Sequence, residues 1–138
     1  MGGWSIATFS STYDLDTAHF MGVALMKEIK ALIRPHMLTK VMDALHGLPH
    51  FPGITVSDCQ GQGRGRGNAG RYEATEETIY FAKMTKLELF CADEICNGIV
   101  EAIRQAAHTG SPDDGVIAVI DLSRVVSIRT GEEREKAI

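Results

Sequence analysis

With 138 residues, 44% hydrophobic and 23% charged, the chain is long enough for one ordinary core without disulfides or metal. Its formal net charge of −4 argues against a dedicated nucleic-acid binder, which usually carries a strongly basic face. Three cysteines, Cys59, Cys91 and Cys96, form no disulfide framework and fit a reducing compartment. No apolar run approaches the ~20 residues that span a bilayer, and no Lys or Arg precedes Lys27 to form the basic start of a secretory signal. The expected location is the cytoplasm.

Residues 1–25 read as a leader without sustained periodicity, either flexible or docked through Trp4, Phe9, Tyr13 and Phe20, with Met21 and Met26 as alternative starts. Residues 26–138 form the expected domain. "KEIKALI" places Ile29, Ala31 and Ile33 at alternate positions, the period of a half-buried strand. Pro35 suits the first turn of a helix, and Leu38, Val41, Met42, Leu45 and Leu48 recur at helical spacing until Gly47, Pro49 and Pro52 end it. "GITVSDCQ" predicts a second strand. "GQGRGRGNAGR", from Gly61 to Arg71, follows it with five glycines and three arginines.

"TKLELFC" predicts a third strand, with Leu87, Leu89 and Cys91 on one face. Asp93 is the expected N-cap of a second helix striped by Ile95, Ile99, Val100, Ile103 and Ala107. "HTGSPDDG" is a turn-rich loop, "VIAVIDL" a fourth strand and "RVVSIRTG" a short fifth extended segment. The order predicts an α+β chain, a ferredoxin-like double β-α-β sandwich. Two helices would cover one sheet face and leave the other to be buried by self-association.

The glycine–arginine stretch leaves a strand end, where backbone amides can form a nest for an anion and Arg64, Arg66 and Arg71 can add charge-assisted hydrogen bonds. It has neither the Lys-Ser/Thr pair of a P-loop nor an immediately following helix, so a solvated mobile loop is the bland alternative. Asp113 and Asp114 either hold a divalent ion or form turns. Arg129 is a candidate anion contact or an exposed arginine. Cys59 and Cys91 end two strands joined through the loop; a soft-metal site competes with buried structural cysteines. His46 and His50 are separated by Gly47 and Pro49 and do not share a helical face. No nucleophile–base set or paired catalytic carboxylates stand out, and no enzyme is expected.

From Met26 to Ile138, "MKEIKALIRPHMLTKVMDAL", "GITVSDCQGQGRGRG", "AAHTGSPDDG" and "VVSIRTGEE" together resemble the PII signal-transduction (nitrogen regulatory protein PII) family, as a divergent paralogue. The resemblance implies a homotrimer with a long T-loop at 62–82, a B-loop at 108–116 and a C-terminal segment at 124–138. Adenine nucleotide (ADP, AMP or ATP) would bind between subunits. Residue by residue, Thr55, Gly61, Gly63, Arg64, Glu88, Gly110, Asp114, Gly115 and Arg129 match the family's nucleotide contacts. Arg66, Arg71, Tyr72 and Glu77 lie in the loop that would reach a partner protein, for which a membrane transporter is a candidate.

Departures from the family pattern modify that expectation. Val116 stands for a phosphate-binding lysine, Asp113 for a glycine and Ser127 for an arginine. Each charged hydrogen bond lost is worth ~1.5–3 kcal/mol, so the expectation is either a preference for ADP or AMP over ATP or low affinity, and a role for Mg²⁺ is left open. Gly65 and Met84 replace a glutamine and a lysine of the 2-oxoglutarate site, and Glu77 replaces the modified tyrosine. Usual 2-oxoglutarate sensing and uridylylation are therefore not expected. Two rivals remain at this level. One is a trimeric metal-binding protein similar to the divalent-ion tolerance family, using Cys59, Cys91 and nearby histidines. The other is an RNA-binding arginine–glycine loop, opposed by the net charge and by Glu73, Glu76 and Glu77.

Overall fold

The computed structural model describes residues 25–63 and 81–138. Strand β1 (Met26–Ile33) leads through a 3₁₀ turn (Pro35–Met37) into helix α1 (Leu38–His46). Strands β2 (Thr55–Gly61) and β3 (Ala82–Ala92) follow, then helix α2 (Asp93–Ala107), strand β4 (Gly115–Leu122) and a final 3₁₀ turn (Arg134–Ala137). The strands form one sheet in the order β2-β3-β1-β4, antiparallel at every pairing. This is the expected ferredoxin-like topology.

Alternation in β1 and β3 decides which face is buried. Ile29, Ala31 and Ile33 pair with Leu89, Leu87 and Thr85, and all six are almost completely removed from solvent. Val41 and Leu45 of α1 and Ile99 and Ile103 of α2 close over them. Each fully buried Leu or Ile contributes about 1.5–3 kcal/mol by leaving water, so this layer fixes the register of the sheet.

The opposite pleat carries Glu28, Lys30 and Leu32, which pair with Phe90, Glu88 and Lys86 on β3 and with Ile120, Ala118 and Val116 on β4. Phe90, Ile120 and Val116 are exposed there. Among the described residues no helix covers this face, as the alternation predicts.

Three expectations need correction. Asp93 is the first residue of α2, not its N-cap. Ala92 holds the cap position, and no side chain caps the helix. The Asp93 carboxylate instead lies 3.7 Å from Lys27 Nζ, which also donates to Asp121 at 2.5 Å. The buried stripe of α2 is Cys96, Ile99, Ile103, Ala106 and Ala107, rotated so that Ile95 and Val100 flank the core. Finally, 124–131 is not extended throughout. Gly131 N–H donates to Ser127 O at 2.9 Å and Ser127 N–H to Glu132 O at 2.8 Å, so the Thr-Gly pair folds the segment back on itself, leaving an isolated bridge between Val126 and Glu133.

Candidate functional site

Sheet register gathers the chemistry at one end of the molecule. Ile33, the last residue of β1, pairs with Gly115 on one side and Thr85 on the other. Arg34, the 108–114 loop and the β2–β3 ends therefore meet there. Gly115 has φ +117° and its missing Cβ would overlap the Leu32 carbonyl oxygen, so only glycine lets β4 leave the loop against β1.

The loop is shaped by its own acid. Asp114 Oδ2 accepts from Thr109 N–H at 2.8 Å and from Gly110 N–H at 2.9 Å, while Oδ1 takes the Thr109 hydroxyl. His108 Nδ1 lies 3.5 Å from the same carboxylate. The Thr109 hydroxyl first, with the two backbone N–H groups, holds Asp114 below the usual carboxylate range against the opposing effect of desolvation. Hydrogen bonds to an ionised carboxylate favour that form. Asp114 thus directs its carboxylate into the loop, which it locks in one shape.

Asp113 has a different partner. Its Oδ2 lies 3.2 Å from Arg34 Nη1 in a half-buried pair, with side chains 27% and 24% exposed, and it also bonds the Ser111 hydroxyl. The same Arg34 nitrogen is 3.9 Å from Met84 Sδ. Nothing local in the sequence links Arg34, the residue before a helix-opening proline, to a loop nearly eighty positions on. A cleft of about 320 Å³ lies beside it, lined by Pro35, Asp58, Cys59, Gln60, Lys83 and Met84.

The remaining described candidates are spread over the sheet and the C-terminal turn. Thr55 pairs with Glu88 on the uncovered face, and Glu88 holds Lys86 at 3.2 Å. Thr55 and Gly61 are the two ends of β2, on the order of 20 Å apart at ~3.3 Å per residue. Arg129 is exposed in the Ser127–Gly131 turn. Gly63 closes the described part of the long loop; Arg64, Gly65, Arg66, Arg71, Tyr72 and Glu77 lie outside the described residues.

The shared Cys59–Cys91 metal site is overturned. Antiparallel pairing brings the end of β2 to the start of β3, so Cys59 sits opposite Met84 while Cys91 sits opposite Lys27, on the order of 20 Å further along β3 and on the other face. Cys59 Sγ donates to Met84 O at 3.6 Å. Burial, with Cys96 and Asp93 adding to it, pushes the Cys91 thiol up to about 12, which suits a structural cysteine. Among the described residues no three His, Cys, Asp or Glu side chains could together hold a metal ion.

A model of the family "Nitrogen regulatory protein P-II" matches residues 26–132. The chain belongs to the PII family. Nitrogen regulatory protein P-II of Azospirillum brasilense is 42% identical over 113 residues, covering 82% of this chain and 100% of that protein. P-II 1 of Escherichia coli is 39% identical over the same coverage. Among solved structures, Arabidopsis thaliana PII bound to citrate superimposes with a TM-score of 0.66 at 28% identity, covering 85% of this chain and 95% of that one. As a PII-family protein the chain is a signal-transduction regulator and not an enzyme. Among its described residues no helix is long and apolar enough to cross a membrane.

Proposed function

We propose that this PII-family protein is a homotrimeric regulator that takes an adenine nucleotide, ADP or AMP before ATP, between subunits and signals to a partner protein through residues 62–82. The reading rests most on the division of the matching residues. Thr55 and Glu88 pair at one place on the uncovered face, whereas Gly110, Asp114 and Gly115 belong to a preformed loop at the sheet end. Two such halves make a complete site when a second copy supplies the missing one, and the exposed Phe90, Ile120 and Val116 provide apolar surface for that copy.

The order of nucleotide preference follows from charge. Val116 is 60% exposed beside the loop and offers no cation, while Asp113 brings a carboxylate that a terminal phosphate must avoid. Met84 offers a thioether where the family's dicarboxylate site has an ammonium, so 2-oxoglutarate is not the usual co-effector. Glu77 cannot accept a nucleotidyl group as a tyrosine would. A membrane transporter is the candidate partner, and nucleotide must bind two loop states unequally for the signal to pass.

Titration calorimetry with ATP, ADP and AMP, with and without Mg²⁺ and 2-oxoglutarate, tests this. The expected result is one nucleotide per subunit, with ADP or AMP tightest. Heat-silent titrations with all of them, supported by equilibrium dialysis showing no uptake, would sink the reading.

A further inference from the structure

We infer that the Arg34–Asp113 ion pair is the element that limits how many phosphates this protein accepts, with Asp113 withholding Arg34 from the ligand. The inference rests on the nucleotide reading above and deepens it.

Among the described residues, Arg34 is a permanent cation that the fold holds against the 108–114 loop. Its Nη1 sits between Asp113 Oδ2 at 3.2 Å and Met84 Sδ at 3.9 Å, and Pro35 immediately follows, restricting its backbone to the extended region it adopts. Both partners are about three-quarters removed from solvent, so the pair is screened less than a surface pair. A guanidinium that already meets a carboxylate contributes almost no net field to an incoming anion.

The rest of the loop does not replace that charge. Asp114 occupies the Thr109 and Gly110 N–H groups, Ser111 donates its hydroxyl to Asp113, and Val116 is apolar. A terminal phosphate approaching this loop must therefore dislodge the Asp113 carboxylate or lie against it. A monophosphate that reaches only the near side avoids both. Removing the Asp113 charge while keeping its shape frees Arg34 for a charge-assisted hydrogen bond to phosphate.

The test compares wild type, Asp113→Asn, Arg34→Gln and the double variant Arg34→Gln/Asp113→Asn, each checked by thermal melt for folding, in titrations with ATP and AMP. The expected result is that Asp113→Asn raises the ATP-to-AMP affinity ratio by about tenfold or more, the effect of one charged hydrogen bond. The double variant should lose that gain, and the gain should shrink as salt rises.

A wild type that binds nucleotide, with an Asp113→Asn ratio within about twofold of it, overturns the lock and leaves the nucleotide reading standing. A gain that survives in the double variant overturns the part given to Arg34. Absence of nucleotide binding in wild type overturns the nucleotide reading and, with it, the lock that rests on it.

Discussion

Replacing Gly115 with alanine should be among the most damaging single-methyl additions this chain can receive. At φ +117° an L side chain is strained before any neighbour is considered, a cost of about 1–3 kcal/mol. The added Cβ would also overlap the Leu32 carbonyl oxygen and lie 2.9 Å from its carbon. That neighbour is strand backbone, so no rotamer change can relieve it, and β4 must move off β1 at the Ile33–Gly115 pair. Losing one or two ladder hydrogen bonds there removes a further ~0.5–1.5 kcal/mol each. The total is roughly 1.5–6 kcal/mol, a drop in melting temperature on the order of 10 °C for a domain of this size. Gly110→Ala is the internal control, because Gly110 has φ +91° but open space around a built Cβ. It should lose only the conformational part. Thermal and urea unfolding of both variants measure the difference. A Gly115→Ala protein that melts within a degree or two of wild type, or no lower than Gly110→Ala, would refute the claim that this close approach sets the strand exit.

Ile103→Ala, at a fully buried position facing the sheet, should cost about 2–5 kcal/mol in urea denaturation; a loss under ~1 kcal/mol would mean that α2 is not packed as described. Native protein treated with iodoacetamide near neutral pH should alkylate half-buried Cys59 first and spare Cys91 and Cys96 until unfolding, because both are buried and burial pushes both thiols up. Peptide mass spectrometry that finds Cys91 labelled as fast as Cys59 would contradict the assignment of faces. Asp114 is held low in the folded state, so its contribution to stability is complete above the ordinary carboxylate range and is lost as pH falls through its folded value. Asp114→Asn should flatten that acid-side loss in a melting-temperature profile, and an unchanged slope would show that the carboxylate does not close the loop.

Much of the framework was legible because it is written in local periods. Ile29, Ala31 and Ile33 alternate in β1, Leu87, Leu89 and Cys91 alternate in β3, and these are the residues buried under the helices. Where tertiary partners decide the outcome, the sequence was silent. Asp93 looks like a cap, but Lys27 from β1 stands beside it. "RVVSIRTG" has strand composition, yet Gly131 at φ +72° reverses it. Cys59 and Cys91 each end a strand in the sequence, but the antiparallel turn sends those ends to opposite limits of the sheet. The loop sequence at 108–115 signalled a site through its family likeness, and the acid at 113 stood out as a departure from that pattern. Its counter-charge could not be read without the register that brings Arg34 against it.

In the proposed function, two copies of this chain complete the nucleotide site. A crystal structure of the full chain with ADP tests it most directly. The expected result is a trimer with ADP lying between Thr55 and Glu88 of one subunit and the 108–115 loop of its neighbour. A nucleotide held wholly by residues of a single subunit, or a well-ordered trimer with those clefts empty at saturating ADP, would contradict it.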